Sequence, residues 1–142
     1  MEYQNEFRVF FAAKSQNEAL ARIMTAAFLS QYDPTLSEIT DVKTAVSEAV
    51  TNAIIHGYEE KHGDVELFCG YKDGKVYIEV ADKGLGISDV NQAREPLYTS
   101  KPELERSGMG FTIMETFMEE VRVESKQGEG TRIFMEKTLT TE

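Results

Sequence analysis

The chain has 142 residues, 41% of them hydrophobic and 28% charged, with 25 acidic against 15 basic side chains and a formal net charge of −10. This length fits one domain around one core (residues 1–142), and the composition is that of a globular rather than a disordered chain. The acidic balance argues against nucleic acid or an anionic membrane as a direct partner, since both need a basic footprint, and a single cysteine, Cys69, excludes an intrachain disulfide and a thiolate zinc cluster.

The first residues lack the basic start and apolar run of a signal peptide. The longest apolar stretch, residues 19–29, is too short to span a bilayer and carries Arg22, so the expected location is cytoplasmic. Residues 7–13 are rich in β-formers and predict a first strand. Ser15 and Glu18 then have the spacing of a capping box, which opens a helix to about residue 31 with Leu20, Ile23, Met24, Ala27 and Phe28 as its apolar stripe. Tyr32-Asp33-Pro34 breaks it. A second capping box, Thr35 and Glu38, opens a longer helix that Gly57 ends, with Val42, Val46, Ala49, Val50 and Ala53 on its core face.

Residues 65–71 and 75–81 alternate apolar and polar across Asp73-Gly74, a strong hairpin signal because both turn positions favour positive φ. Cys69, in the first of these strands, reads as a half-buried thiol without a role. Residues 82–108 are rich in Gly, Pro, Ser and charge, the composition of a functional loop or lid. A helix over 109–120 follows, then a hairpin of 121–125 and 131–137 turning through Gln127-Gly128-Glu129-Gly130. The order β-α-α-β-β-lid-α-β-β predicts a two-layer α/β sandwich, its mixed, largely antiparallel sheet covered by helices on one face.

Three constellations carry chemistry. Glu48, Asn52 and His56 are spaced by four and lie in file along the second helix, away from its core face. Such a file suits a ligand site and equally a solvated surface. Asp82, Gly84 and Gly86 directly follow a strand: glycines let backbone approach a flat ligand, and a carboxylate accepts from an exocyclic amine. A plain Asp-Gly turn has the same composition. Gly108 and Gly110 precede a helix, where unpaired N–H groups and the helix dipole favour phosphate. No Walker loop or Rossmann fingerprint occurs.

In this order and on these elements, the three resemble the N, G1 and G2 boxes of the Bergerat (GHKL) ATP-binding fold, shared by sensor histidine kinases, gyrase-type ATPases and Hsp90. Residues 47–58 (SEAVTNAIIHGY) and 101–115 (KPELERSGMGFTIME) are similar to the sigma F family of bacterial anti-sigma serine kinases. The sigma B kinases of general stress control are more distant relatives with the same layout.

The resemblance implies an anti-sigma factor and ATP-dependent protein serine kinase. It would inhibit the sporulation sigma factor F and phosphorylate a small anti-anti-sigma antagonist on serine, as a homodimer using ATP and Mg2+. Asn52 would be the magnesium ligand at the ATP site, and Glu48 the catalytic group that polarises or deprotonates the serine hydroxyl. Asp82 would read adenine, with Gly84 and Gly86 giving it room and Thr131 supporting it through water. Gly108 and Gly110 would cradle the phosphates, and Lys101 and Arg106 would neutralise the γ-phosphate. His56 fits a structural role. Arg22, set between Ala19 and Ala26 on the first helix, is the candidate partner contact, although a solvated arginine is an equal reading.

Two other functions compete. A detached histidine-kinase catalytic domain needs a phosphoacceptor histidine on an upstream helix pair, and neither His56 nor His62 lies in one. A non-catalytic module that uses ATP to fix its shape leaves the pairing of Glu48 with Asn52 without a purpose.

Overall fold

The computed structural model describes residues 1–58, 62–86 and 110–140. Strand β1 (Asn5–Ala12) leads into α1 (Gln16–Leu29), which tightens into a 3₁₀ turn at Ser30–Tyr32. Helix α2 (Leu36–Asn52) continues into a π-helical turn, Ala53–Gly57. Then come β2 (Asp64–Lys72), β3 (Lys75–Asp82), α3 (Gly110–Phe117), β4 (Glu120–Lys126) and β5 (Gly130–Thr138). The strands form one sheet in the order β1-β2-β3-β5-β4, and every pairing is antiparallel. The predicted sandwich is present, with a sheet antiparallel throughout rather than mixed.

Period-2 alternation decides which face of each strand is buried. On the inward face Val65, Leu67 and Cys69 of β2, Val76, Ile78 and Val80 of β3, and Ile133 and Met135 of β5 are 0–1% exposed. They meet Val42, Val46, Ala49 and Val50 of α2, all 0% exposed, in one cluster that also takes in Met114 of α3. Full burial of each such aliphatic side chain stabilises the fold by about 1.5–3 kcal/mol. The outward face is held by charge: Arg132 bridges Glu66 at 3.1 Å and Glu79 at 2.9 Å, and Arg8 pairs with Glu66.

The turn chemistry follows the residues. Asp73 and Gly74 both have positive φ, 48° and 81°, as a two-residue hairpin turn requires. The Thr35 hydroxyl accepts from the Glu38 N–H at 3.1 Å, and the Glu38 carboxylate accepts from the Thr35 N–H at 2.8 Å, so the second capping box forms as predicted.

The first capping box does not form. Ser15 is itself helical (φ −53°, ψ −38°) and its side chain caps nothing. The Asn17 amide instead donates to the Ala12 carbonyl at 2.8 Å, and Glu18 pairs with Arg22. The predicted α1 stripe holds at Phe28 and Met24 and is corrected at its other positions. Ala21, Thr25, Phe28 and Leu29 face the core, whereas Leu20 and Ile23 are 43% and 65% exposed and Ala27 is exposed too. Thr25 goes inside because its hydroxyl is satisfied within the helix, donating to the Ala21 carbonyl at 2.8 Å. It lies 3.9 Å from the sulfur of Cys69, which is fully buried rather than half-buried, and burial pushes that thiol up to about 12. Among the described residues no helix is long and apolar enough to cross a membrane.

Candidate functional site

Helix α2 carries Glu48 and Asn52 four residues apart, one turn of the helix, and both are half-buried. The Asn52 amide makes no hydrogen bond among the described residues, so its carbonyl oxygen is available to a ligand. From Ala53 the helix widens: the Tyr58 N–H reaches back five residues to the Ala53 carbonyl at 3.0 Å. A π turn takes up an extra residue, so His56 leaves the register that Glu48 and Asn52 share. The predicted file therefore holds for two of its three members. His56 is half-buried and engaged by a neighbour.

The π turn delivers Gly57 against the end of β3. A Cβ on Gly57 would stand 2.7 Å from the Asp82 carboxyl carbon, and one on Gly84 would stand 1.9 Å from the Gly57 carbonyl oxygen. The approach these glycines permit is thus of the chain to itself, which differs from the room for a ligand expected of Gly84. The Leu85 N–H donates to the Gly57 carbonyl at 2.8 Å, and the Gly128 N–H donates to the Leu85 carbonyl at 2.6 Å. Gly86, at φ 76°, lies so close to the Lys126 carbonyl that a Cβ would overlap it at 2.1 Å. Residues 82–86 are in this way stitched to the helix end on one side and to the β4–β5 turn on the other.

Asp82 is 7% exposed. Burial raises its carboxyl pKa to about 6, against the opposing pull of the Gly84 and Thr131 backbone amides. The Gly84 N–H donates to Oδ1 at 2.9 Å. No cation is paired with Asp82 among the described residues, so the carboxylate keeps acceptor capacity for another donor. Its register partner on β5 is Thr131, 5% exposed, whose hydroxyl lies 2.7 Å from that of Ser125. A cavity of about 830 Å³ opens at this end of the sheet, with Tyr58, Asp82, Lys83 and Thr131 in its wall, and spreads over the outward face to Glu66 and Arg132.

The sequence did not single out Tyr58 and Gly57 for this site. The Tyr58 hydroxyl accepts from the Lys83 N–H at 2.7 Å and donates to the Asp64 carbonyl at 2.8 Å, clamping the loop after Asp82 to the start of β2. Its partners lie 25 and 6 residues away, and nothing in local composition signals them.

The structure brings Asp82, Gly84, Gly86 and Thr131 together with Gly57 at one end of the sheet, through the π turn and the β3–β5 pairing, while Glu48 and Asn52 lie farther back along α2. Gly110 opens α3, which packs on α2. Arg22 lies on α1, paired with Glu18 and part-exposed. Lys101, Arg106 and Gly108, with the lid predicted from residue 87 onward, lie outside the described residues.

The residues present fit a magnesium nucleotide. Among the described residues no three His, Cys, Asp or Glu side chains gather to cage a metal. The amide oxygen of Asn52 would offer one ligand, which suits an ion that keeps its waters and takes most oxygens from phosphate. A buried carboxylate with spare acceptor capacity suits the amino edge of a purine.

The histidine kinase-like ATPase domain family matches residues 11–137 of the chain. The anti-sigma F factor of Clostridium kluyveri is 57% identical over 139 residues, covering 98% of both chains. That of Clostridium novyi is 60% identical over 136 residues (95% of each), and that of Geobacillus kaustophilus 55% over 137 residues, 96% of this chain and 94% of the relative. Among solved structures, the RsbU and RsbW domains of a Mycobacterium tuberculosis protein match with a TM-score of 0.68 at 20% identity, over 96% of this chain and 33% of that one. The catalytic domain of the histidine kinase ThkA matches with a TM-score of 0.58 at 17% identity, over the whole of both chains. At these identities the structures speak for the fold alone.

Proposed function

Because the chain belongs to the histidine kinase-like ATPase family and, within it, to the anti-sigma F factors, we propose that it binds and inhibits a sigma factor of the F class and transfers the γ-phosphate of ATP to a serine of that factor's protein antagonist. The observation that carries the catalytic half is the pairing of Glu48 and Asn52 one turn apart on α2, a helix whose π-turned end abuts the buried Asp82.

Bound magnesium ATP supplies the transferable phosphoryl group and a divalent charge. The chain's own residues do the positioning. Asp82 accepts from the amino group of the base, and the Tyr58 and Gly57 contacts hold its loop still. Asn52 offers a neutral oxygen to the metal, and Glu48 accepts a hydrogen bond from the incoming serine hydroxyl and orients it. A glutamate is a weak base for that hydroxyl, so alignment of the acceptor contributes more than proton removal.

Phosphorylation silences the antagonist on this reading, because a dianionic phosphate is costly to bury in a packed protein interface. The test is transfer from labelled ATP to the antagonist by the wild type and by Glu48→Gln. The expected loss in Glu48→Gln is at least about 100-fold in rate, with nucleotide affinity retained. Label on a histidine of this chain, or full transfer by Glu48→Gln, would overturn the proposal.

A further inference from the structure

Helices α1 and α2 pack along each other and leave a cleft of about 250 Å³ between their outer edges. Its wall is Arg22 from α1 and Thr40, Lys43, Thr44, Ser47 and Glu48 from α2. The four residues from Thr40 to Ser47 recur at i, i+3, i+4 and i+7, so one continuous edge of α2 leads to Glu48. The Thr44 hydroxyl donates to the Thr40 carbonyl at 2.8 Å, which leaves it an acceptor toward the cleft.

The charge in this cleft runs against the rest of the molecule. The chain carries a net −10, yet Lys43 forms no ion pair among the described residues. Two other acids of α2 are engaged elsewhere: Asp41 with Lys137 at 3.4 Å, and Glu38 with the Thr140 N–H at 2.6 Å. Across the cleft, Arg22 spends part of its five-donor guanidinium on Glu18. Two cations thus face a polar groove whose inner end is Glu48.

The spacing selects the occupant. Lys43 precedes Glu48 by five residues, about 7.5 Å along the helix axis at about 1.5 Å per residue. At that separation the two side chains can address different residues of one bound segment. The separation matches the rise of about 6.6–6.8 Å over two residues of an extended chain, in which side chains at i and i+2 point the same way.

We propose that the cleft seats the acceptor segment of the protein substrate in extended form, with Lys43 as the positioning residue for an acidic side chain two residues from the target serine. The inference rests on the serine-kinase reading above and adds to it a determinant of substrate choice on this chain.

Steady-state transfer to the antagonist that the wild type phosphorylates tests the proposal, with KM and kcat measured separately. Lys43→Ala should raise KM for the antagonist about tenfold and lower kcat much less, and Lys43→Glu should raise KM further. Nucleotide affinity should not move in either variant. Reversing the antagonist's acidic residue to lysine should weaken transfer by the wild type and recover it with Lys43→Glu. Lys14→Ala, on the exposed turn before α1, controls for general loss of positive charge. Folding is checked by thermal melts, with Lys43→Gln as a second variant. An unchanged KM in folded Lys43→Ala and Lys43→Glu overturns the proposal, as does failure of the paired reversal. Absence of phosphoserine with the wild type instead overturns the kinase reading itself.

Discussion

Glu38, in the first turn of α2, and Asp82, at the end of β3, are the two acidic side chains buried among the described residues, at 6% and 7% exposure. Their carboxyls shift in opposite directions. Burial pushes the Glu38 carboxyl up, but donors reverse the effect: the Thr35 N–H at 2.8 Å, the Thr140 N–H at 2.6 Å and the Thr140 hydroxyl at 2.8 Å hold it below the usual glutamate range. Asp82 receives only two backbone amides against its burial and rises to about 6. Two carboxylates of similar exposure therefore differ in kind, Asp82 being set deeper in the protein and met by fewer donors. One is saturated by its own chain and ties the C-terminal segment to the start of α2; the other is left short of donors where a ligand can supply them.

The contrast breaks most sharply at Asp82. A rise from 3.8 to about 6 means the folded protein holds a proton that the unfolded chain has released. Stability conferred by the neutral acid is lost as pH rises through that window, about 3 kcal/mol in all. Asp82→Asn removes the charge, and its buried NH2 group offsets about 1 kcal/mol of the gain. The expected outcome at a pH of about 7.5 is a nucleotide affinity reduced about 100-fold, roughly 2.7 kcal/mol, together with a melting temperature higher by about 4–6 °C. The thermal gain should vanish at a pH of about 4.5 and reverse slightly below it, where only the cost of the buried amide remains. Calorimetric titration and melting across pH check both halves. Normal nucleotide binding by Asp82→Asn, or a lower melting temperature than wild type above the Asp82 titration, contradicts a ligand-directed Asp82.

Glu38→Gln is the mirror experiment. It keeps the shape and removes the charge that three donors address, with an expected loss of about 2 kcal/mol and no change in nucleotide affinity. The folded carboxyl lies below its ordinary value, so its contribution is full above the unfolded pKa and fades as pH falls through the folded one. The melting difference between wild type and Glu38→Gln should therefore close in acid, from the opposite direction to that of Asp82→Asn. Nucleotide affinity that falls along with stability would show the two regions to be coupled.

Which of these features could be read in the sequence follows from how local their causes are. The Thr35-Glu38 box and the Asp73-Gly74 turn are set by residues close together in the chain, and both form as written. Counting apolar residues along α1 finds Met24 and Phe28 but also takes in the exposed Leu20, Ile23 and Ala27. Thr25 is satisfied within its own helix and goes inside, while Leu20 and Ile23 stay out. Ser15 has the composition of a cap, yet the strand end is held by Asn17 reaching Ala12, and the serine joins the helix. Glu48, Asn52 and Asp82 were recognisable as residue types. The π turn that joins them was not, because the need for it lies in the meeting of Gly57 with Asp82, 25 positions on.

That long-range seam gives the smallest expected effect. The Tyr58 hydroxyl joins the Lys83 N–H to the Asp64 carbonyl, so Tyr58→Phe leaves the ring in place and removes two hydrogen bonds. Both are open to water, so each contributes near the low end of about 0.5–1.5 kcal/mol. The Asp82 loop is also held by Leu85 on Gly57 and Gly128 on Leu85, so the fold should tolerate the change with a melting loss of about 2–4 °C. Nucleotide affinity should weaken about three- to fivefold, because the loop that presents Asp82 must then be ordered by the ligand itself. Hydrogen exchange sharpens the test: the Lys83 amide, now without an acceptor, should exchange faster in Tyr58→Phe, and added nucleotide should slow it again. An affinity and an exchange rate both unchanged would mean that Gly57 and Gly128 alone hold the carboxylate in place. The under-donated state of Asp82 would then belong to the β3–β5 strand ends rather than to the end of α2.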